Sequence, residues 1–325
     1  MLRTTLIVLV LLSTTAIAQP PAESRNPKRP GRATREARLN HPALKIERNI
    51  PYAANDNPRQ QLDLYLPKER KTKKLPVIVF IHGGGWKSGS KNTGALRLMP
   101  FIKTGHYAGV SVAYRLSGEA VWPAQIHDVK GAIRWIRANA AKYDLDPDHI
   151  AVWGTSAGGH LALMIGLTGD TSELDGKLGP HTDVSSKVAG VVNYFGPTEL
   201  IAMTGRSGKL DRTKGDSPVA QLFGGPTQAT DEKSKQASPV TYASANDPPV
   251  LTIHGDADHI VPLDQAVRLD TAMKKAGVTH YFITIEGGGH GKLSTAADEP
   301  TARFFAKYLR GIDEEIPTGK IPMAK

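Results

Sequence analysis

From about residue 76 onward the chain alternates short, almost wholly apolar runs with stretches whose apolar residues recur every three or four positions. The first kind reads as strands: 76–82 ("PVIVFIH"), 106–114, 150–153, 188–195, 249–254 and 280–286. These runs are rich in Val and Ile and lack strict alternation, which suits strands covered on both faces, as in a parallel sheet. The second kind reads as helices. Residues 128–141 carry Val129, Ile133, Ile136 and Ala140 at helical spacing, 157–167 follow a strand directly, and 301–309 close the pattern. Earlier, 46–52 and 61–66 read as a lead-in antiparallel pair. The alternation predicts an α/β fold: a mostly parallel central sheet of the eight-strand type, flanked by helices. No internal repeat is present.

Two stretches fall outside this rhythm. The connection 196–248 is long and polar, with Lys209, Arg212, Lys214, Asp216, Asp231, Glu232, Lys233 and Lys235. A connection of that length in a compact domain is a functional loop or a small cap, and this one is too polar to make a closed apolar lid. At the other extreme, residues 1–18 read as an export signal: Arg3, then seven apolar residues from Leu6 to Leu12, then Ala16-Ile17-Ala18 before the cleavage point. Ser13, Thr14 and Thr15 interrupt the apolar run well short of the roughly 20 residues a membrane anchor needs. The expected location is therefore secreted or periplasmic, with no stable membrane anchor.

Charge sharpens the division. The net charge is +10, and half of it lies in residues 19–48, where eight Lys and Arg face only Glu23, Glu36 and Glu47. That Pro- and Arg-rich leader has too few large apolar residues to fold alone, and no aromatics interleave its cations, so it reads as a solvated tail and not as a nucleic-acid arm. One domain over 49–312 and a tail over 313–325 complete the organisation. The chain has no cysteine, which excludes disulfides, thiolate metal sites and thiol catalysis.

The chemistry starts at "VWGTSAGGH", residues 152–160, where Ser156 stands between Gly154 and Gly158 at the junction of a strand and a helix. A serine on such a turn is held out as a nucleophile, and its neighbours must be small for strand and helix to approach. A hydroxyl needs a base, and the base an orienting group. His290, in the Gly-rich "EGGGHG" beyond the last strand, is the expected base; His259 is its rival, His160 is expected to pack or cap, and His254 to support a turn. The acid is expected in "HGDADHIVP" after the penultimate strand. Asp258 reaches past the turn toward His290, whereas Asp256 is placed to bond the turn's backbone. Negative charge on the substrate oxygen needs donors, and "HGGGW" at 82–86 offers the amides of Gly84 and Gly85 beside that of Ala157. Trp86, Tyr114 and Trp122 are the aromatics expected to line a substrate pocket. His254, Asp256, Asp258 and His259 form a dense ligand-type cluster, but their spacing matches no standard zinc site, and neither Gly-rich run completes a phosphate-cradling pattern.

Taken together, "VIVFIHGGGW", "GVSVAYRLS", "WPAQIHDVKGAIRWIRANA", "GTSAGGHLAL", "HGDADHIVP" and "GGGHG" resemble α/β-hydrolase carboxylesterases of the hormone-sensitive-lipase-like type, most of all secreted bacterial acetyl-xylan and feruloyl esterases. The likeness spans about residues 49–312. It implies an α/β-hydrolase fold, a triad on Ser156, Asp258 and His290, oxyanion donors on Gly84, Gly85 and Ala157, no cofactor and no metal. The implied reaction is hydrolysis of short-chain acyl esters through an acyl-enzyme, on a small-molecule or polysaccharide ester, with acetyl or feruloyl groups on plant-type polysaccharide as the expected substrates. His259 is a departure, since the family often has proline or a carboxylate after the acid. A prolyl-oligopeptidase-type peptidase would need a propeller for which the chain is too short. A lipase-like esterase would need an apolar lid, and a non-catalytic relative would normally have lost a triad member.

Overall fold

The structure, a computed structural model, describes residues 41–323 apart from 204–210, 212, 227–231, 292 and 294. The expected export signal, most of the leader, and Lys209, Arg212 and Asp231 lie outside the described residues. Nine strands form one sheet: β1 (Leu44–Pro51), β2 (Gln61–Pro67), β3 (Leu75–Ile81), β4 (Ala108–Val112), β5 (Leu145–Thr155), β6 (Gly190–Tyr194), β7 (Val250–Gly255), β8 (His280–Glu286) and β9 (Gly319–Pro322). Their spatial order is β1-β2-β4-β3-β5-β6-β7-β8-β9. The lead-in hairpin pairs antiparallel with itself and with β4, and every other pairing is parallel.

Successive side chains of the central strands feed two cores, because a strand presents alternate residues to opposite faces. Val77, Val79, Ile81, Val152 and Val191 face one layer, and Ile78, Phe80, Trp153, Val192 and Ile253 face the other. The helices are α1 (Gly94–Ile102), α2 (Ala124–Ala138), α3 (Ala157–Leu167), α4 (Pro218–Phe223), α5 (Glu232–Gln236), α6 (Asp264–Ala276) and α7 (Asp298–Arg310), with a single further turn at Ala140–Tyr143. α2, α3 and α6 pack on the first core through residues such as Ile133, Leu161 and Leu269. α1 and α7 cover the second through Leu98, Ile102, Phe304 and Phe305.

Three expectations are corrected here. The sheet has nine strands, not eight: Gly319–Pro322 inside the expected tail pairs with Ile283–Glu286, a run too short to show periodicity. β1 begins at Leu44, inside the stretch assigned to the leader, because an edge strand carries charge on its open side. Leu44 is buried, while Lys45 is exposed and Arg48 reaches the buried Asp63. Helices α1 and α6 were not anticipated. Pro100 sits inside α1 and hides it; the buried Ala266, Leu269 and Met273 of α6 do follow helical spacing.

After β3 the chain crosses to β4 on one side and then to β5 on the other, so the loops after β3 and β5 diverge from adjacent strands. Crevices of this kind at the carboxyl ends of strands are where open α/β sheets hold their sites. The loop after β4 is pinned to α2 by Asp128, a fully buried carboxylate that accepts from the Arg115 amide, the Arg115 guanidinium at 2.7 Å and Gln60 at 2.8 Å. Removing one partner of a buried pair strands the others. Asp128→Ala is therefore expected to lower unfolding stability by roughly 3–5 kcal/mol, measured by urea denaturation. A loss below about 1 kcal/mol would show that water replaces the carboxylate.

Candidate active site

β5 ends at Thr155 and α3 starts at Ala157, so Ser156 has to turn the chain in one residue. It does so at φ 54° and ψ −124°, a conformation a serine adopts only under constraint. The constraint is backbone proximity. A Cβ on Gly154 would lie 2.0 Å from the Gly158 carbonyl oxygen, and one on Gly158 would lie 2.1 Å from that of Ile81 in β3. The Ser156 amide donates to the Tyr194 carbonyl at the end of β6, at 2.9 Å.

The loops after β7 and β8 complete the constellation. Ser156 Oγ lies 3.0 Å from His290 Nε2, and His290 Nδ1 lies 2.7 Å from Asp258 Oδ2. A carboxylate can only accept, so Nδ1 carries the proton and Nε2 offers its lone pair to the serine hydroxyl. The second carboxylate oxygen accepts from the amides of Ile260 and Val261 at 2.8 and 3.0 Å. Burial works against the ionised Asp258, but the His254 imidazole 3.6 Å away, the His290 bond and the Ile260 amide outweigh it and hold the carboxyl well below the usual range. His254 Nε2–H itself donates to the Val261 carbonyl, supporting the turn as anticipated. Asp256 accepts from the Gly287 amide at 2.7 Å; it ties the acid's loop to the histidine's loop, where a bond within its own turn was expected. His259 is exposed. Of the ligand-type cluster, His254 and Asp258 face each other, while Asp256 and His259 point away from them.

After β3, Gly83 runs against the elbow; a Cβ there would be 3.2 Å from Ser156 Cβ. Gly84, Gly85 and Trp86 then take φ values of 122°, 59° and 57° in succession. The Gly84 carbonyl accepts from the amides of Lys87 and Ser88, which closes the loop on its far side. Among the described residues no acceptor takes the amides of Gly84, Gly85 or Ala157. Free donors from two loops beside one hydroxyl suit an oxygen that gains charge.

The three aromatics expected to line a pocket are almost wholly buried: Trp86, Tyr114 and Trp122 are 1%, 0% and 2% exposed. Their polar atoms are spent inside the protein: Trp86 on His160, Tyr114 on the His82 carbonyl, Trp122 on Gln236. Trp86 and Tyr114 build the scaffold behind the site, while Trp122 also borders an open cavity between the loop after β4 and α2. One contact gave no sequence signal, the Phe195 ring set edge-on against His290 at 4.7 Å from a backbone at φ 41°.

The chain as a whole is similar to known esterases. The family model BD-FAE matches residues 62–273. The esterase LipC of Mycobacterium tuberculosis is 31% identical over 304 residues, 90% of this chain and 70% of that protein. The isoprenylcysteine alpha-carbonyl methylesterase ICME of Arabidopsis thaliana is 27% identical across 83% of this chain and 60% of its own length. A truncated form of a carbohydrate esterase from gut microbiota has the same fold at a TM-score of 0.76 and 35% identity, covering 82% of this chain and 96% of that one. Esterase 2 of Thermogutta terrifontis, phosphorylated by paraoxon, matches at a TM-score of 0.65 and 26% identity over 84% of this chain and 97% of that one.

Two imidazoles in the scaffold set how the site tolerates acid. Burial pushes His82 and His160 down to about 4 from 6.5, although each keeps a backbone hydrogen bond that favours its charged form. Between those values the unfolded chain takes up protons that the folded chain refuses, so stability falls as pH drops from 6.5 toward 4 and these two groups add no further slope below that. Each contributes roughly 3 kcal/mol across the window. Urea denaturation at pH 7 and pH 4.5 should show the loss, and His160→Gln should reduce the difference by about 2–3 kcal/mol. An equal slope in the variant would remove His160 from the account.

Proposed function

Because the chain belongs to the BD-FAE family, we propose that it is a serine carboxylic-ester hydrolase that works through an acyl-enzyme on Ser156. The observation that carries this reading is the unbroken line from Asp258 through His290 to Ser156 Oγ, set beside three amides that find no acceptor among the described residues. In the first half-reaction His290 Nε2 takes the hydroxyl proton as Oγ attacks the ester carbon. The carbonyl oxygen gains the electron pair and meets the amides of Gly84, Gly85 and Ala157. Collapse of the tetrahedral species expels the alcohol, which receives the proton from His290. Water then enters in place of the alcohol and gives a proton to the same nitrogen as its oxygen bonds the acyl carbon; collapse breaks the bond to Oγ, His290 returns the proton to Oγ, and the acid is freed. Nucleophile, base and donors all come from the chain, so the chemistry calls for no cofactor.

Ser156→Ala is expected to lower kcat/KM by roughly ten-thousand-fold or more with melting temperature little changed, because the hydroxyl faces the crevice and not the core. Mass spectrometry after organophosphate treatment should find the adduct on the peptide containing Ser156; an adduct elsewhere ends the assignment. His290→Ala should cost nearly as much, since serine and base act as a unit. His259→Ala should keep most activity.

For the substrate, the reading is a short acyl group on a bulky, hydroxyl-rich alcohol, such as acetyl or feruloyl decorations of plant-type polysaccharide, met outside the cytoplasm if the N-terminal pattern is an export signal. Support comes from the carbohydrate esterase among the structural neighbours and from the surface of the 196–248 connection. Its described Lys214, Asp216, Glu232, Lys233 and Lys235 are exposed. At the same end of the sheet, an open cavity of about 690 Å³ is bordered by Arg115, Ser117, Glu119 and His127 together with Val121, Trp122 and Pro123, a mixed wall that offers room for an alcohol portion. A buried methylene contributes up to about 0.8 kcal/mol only where an apolar tunnel receives it. With p-nitrophenyl esters, kcat/KM should peak between acetyl and butyryl and fall steeply beyond about eight acyl carbons. A preference for decanoyl esters, or a jump in rate above the substrate's solubility limit, would make 196–248 a lipase-type lid.

A further inference from the structure

His160 lies on the first turn of α3, four residues past the nucleophile, and its amide donates to the Ser156 carbonyl at 3.0 Å. Its side chain is wholly buried and engaged at both nitrogens. The Trp86 indole N–H lies 3.2 Å from Nδ1, and Nε2 lies 2.7 Å from the Ala237 carbonyl. An indole nitrogen only donates and a carbonyl only accepts, so the ring is fixed as the neutral tautomer protonated at Nε2. The Trp86 ring meets it edge-on, with centroids 5.2 Å apart.

What hangs on this ring is the shape of the oxyanion loop. Trp86 follows Gly84 and Gly85 directly and holds φ 57°, a left-handed conformation that a bulky residue keeps only when its side chain is tied down. Its carbonyl is fixed by the Ser117 amide at 2.8 Å, and its indole by His160. Ala237, on the other side of the ring, belongs to the 196–248 connection. The same connection returns at Pro218, 3.0 Å from where a Cβ on Gly85 would stand, and at Gln236, which takes the Trp122 indole N–H.

We propose that His160 is a positioning residue that sets the oxyanion loop by clamping Trp86 to the helix turn of the nucleophile and to the 196–248 wall. Donors at Gly84 and Gly85 and the attacking oxygen at Ser156 are thereby referenced to one turn of α3, and the wall becomes part of the catalytic frame. The inference rests on the ester-hydrolase reading with Ser156 as nucleophile.

The test uses p-nitrophenyl acetate turnover and inhibition by an aryl trifluoromethyl ketone. In that adduct Ser156 Oγ bonds the ketone carbon, its proton passes to His290, and the carbonyl π pair becomes an oxyanion held by the loop. His160→Leu should lower kcat by about 10- to 100-fold with KM within about threefold, and weaken the ketone by a matching factor. His160→Gln, whose amide oxygen accepts from Trp86 and whose nitrogen donates to Ala237, should recover most of the loss. Trp86→Phe, which keeps a ring but deletes the N–H, should reproduce the Leu effect, and the double variant should be no worse than the worse single. If His160→Leu does not fold, Trp86→Phe carries the test alone. A kcat within twofold of the parent in either folded variant, or losses that multiply in the double variant, would overturn the proposal. Fluorophosphonate labelling keeps the two readings apart: a parent labelled on Ser156 with unaffected His160 variants refutes the clamp, and a parent not labelled there refutes the nucleophile.

Discussion

One close backbone approach in the sheet layer governs the elbow around it. Gly158 on α3 lies against the Ile81 carbonyl of β3, and Gly154 of β5 against Gly158, at distances that leave no room for a single methyl group. Bringing helix and strands this near leaves Ser156 one way through, the positive φ that lifts its hydroxyl out of the sheet. The same contact brings the loop after β3 alongside the elbow, so nucleophile and free amides come from one packing decision. Substituting either glycine would disturb both together.

The histidine and the acid are placed by a second set of glycine contacts, independent of the first. A Cβ on Gly255 would stand 2.0 Å from the Gly288 carbonyl, so the loops after β7 and β8 touch backbone to backbone, and the Asp256 bond to Gly287 stitches them. The two loops are held together as a pair. Phe195, at the end of β6, then closes the gap between the pair and the elbow by resting on the His290 ring while its amide bonds the Ile253 carbonyl.

Much of this was legible in the sequence, and the boundary between legible and illegible has a physical cause. Central strands such as 76–82 and 249–254 announce themselves because burial on both faces demands uninterrupted apolar side chains. Ser156, Asp258 and His290 were readable because each follows such a run, Ser156 and His290 in turns rich in glycine and Asp258 in one rich in carboxylates. β9 and α1 were not: the first is four residues long with exposed side chains, the second contains Pro100. The aromatics were less legible for another reason. Trp86 and Tyr114 follow strands and Trp122 precedes a helix, and only the fold shows that their polar atoms are consumed by His160, the His82 carbonyl and Gln236. Side chains whose role is to hold a backbone shape leave no periodic trace.

The order in which the chain supplies its chemistry has a consequence for its biogenesis. Ser156 precedes His290 by 134 positions, and β6, β7 and β8 must stack in turn before the imidazole arrives. Contacts so distant along the chain form late, since the loop they close has first to be ordered. A nascent or partly folded polypeptide therefore carries its nucleophile without its base. On the proposed reading, ester cleavage has to wait until β8 and the loop after it are in place, which ties turnover to the assembly of that side of the sheet.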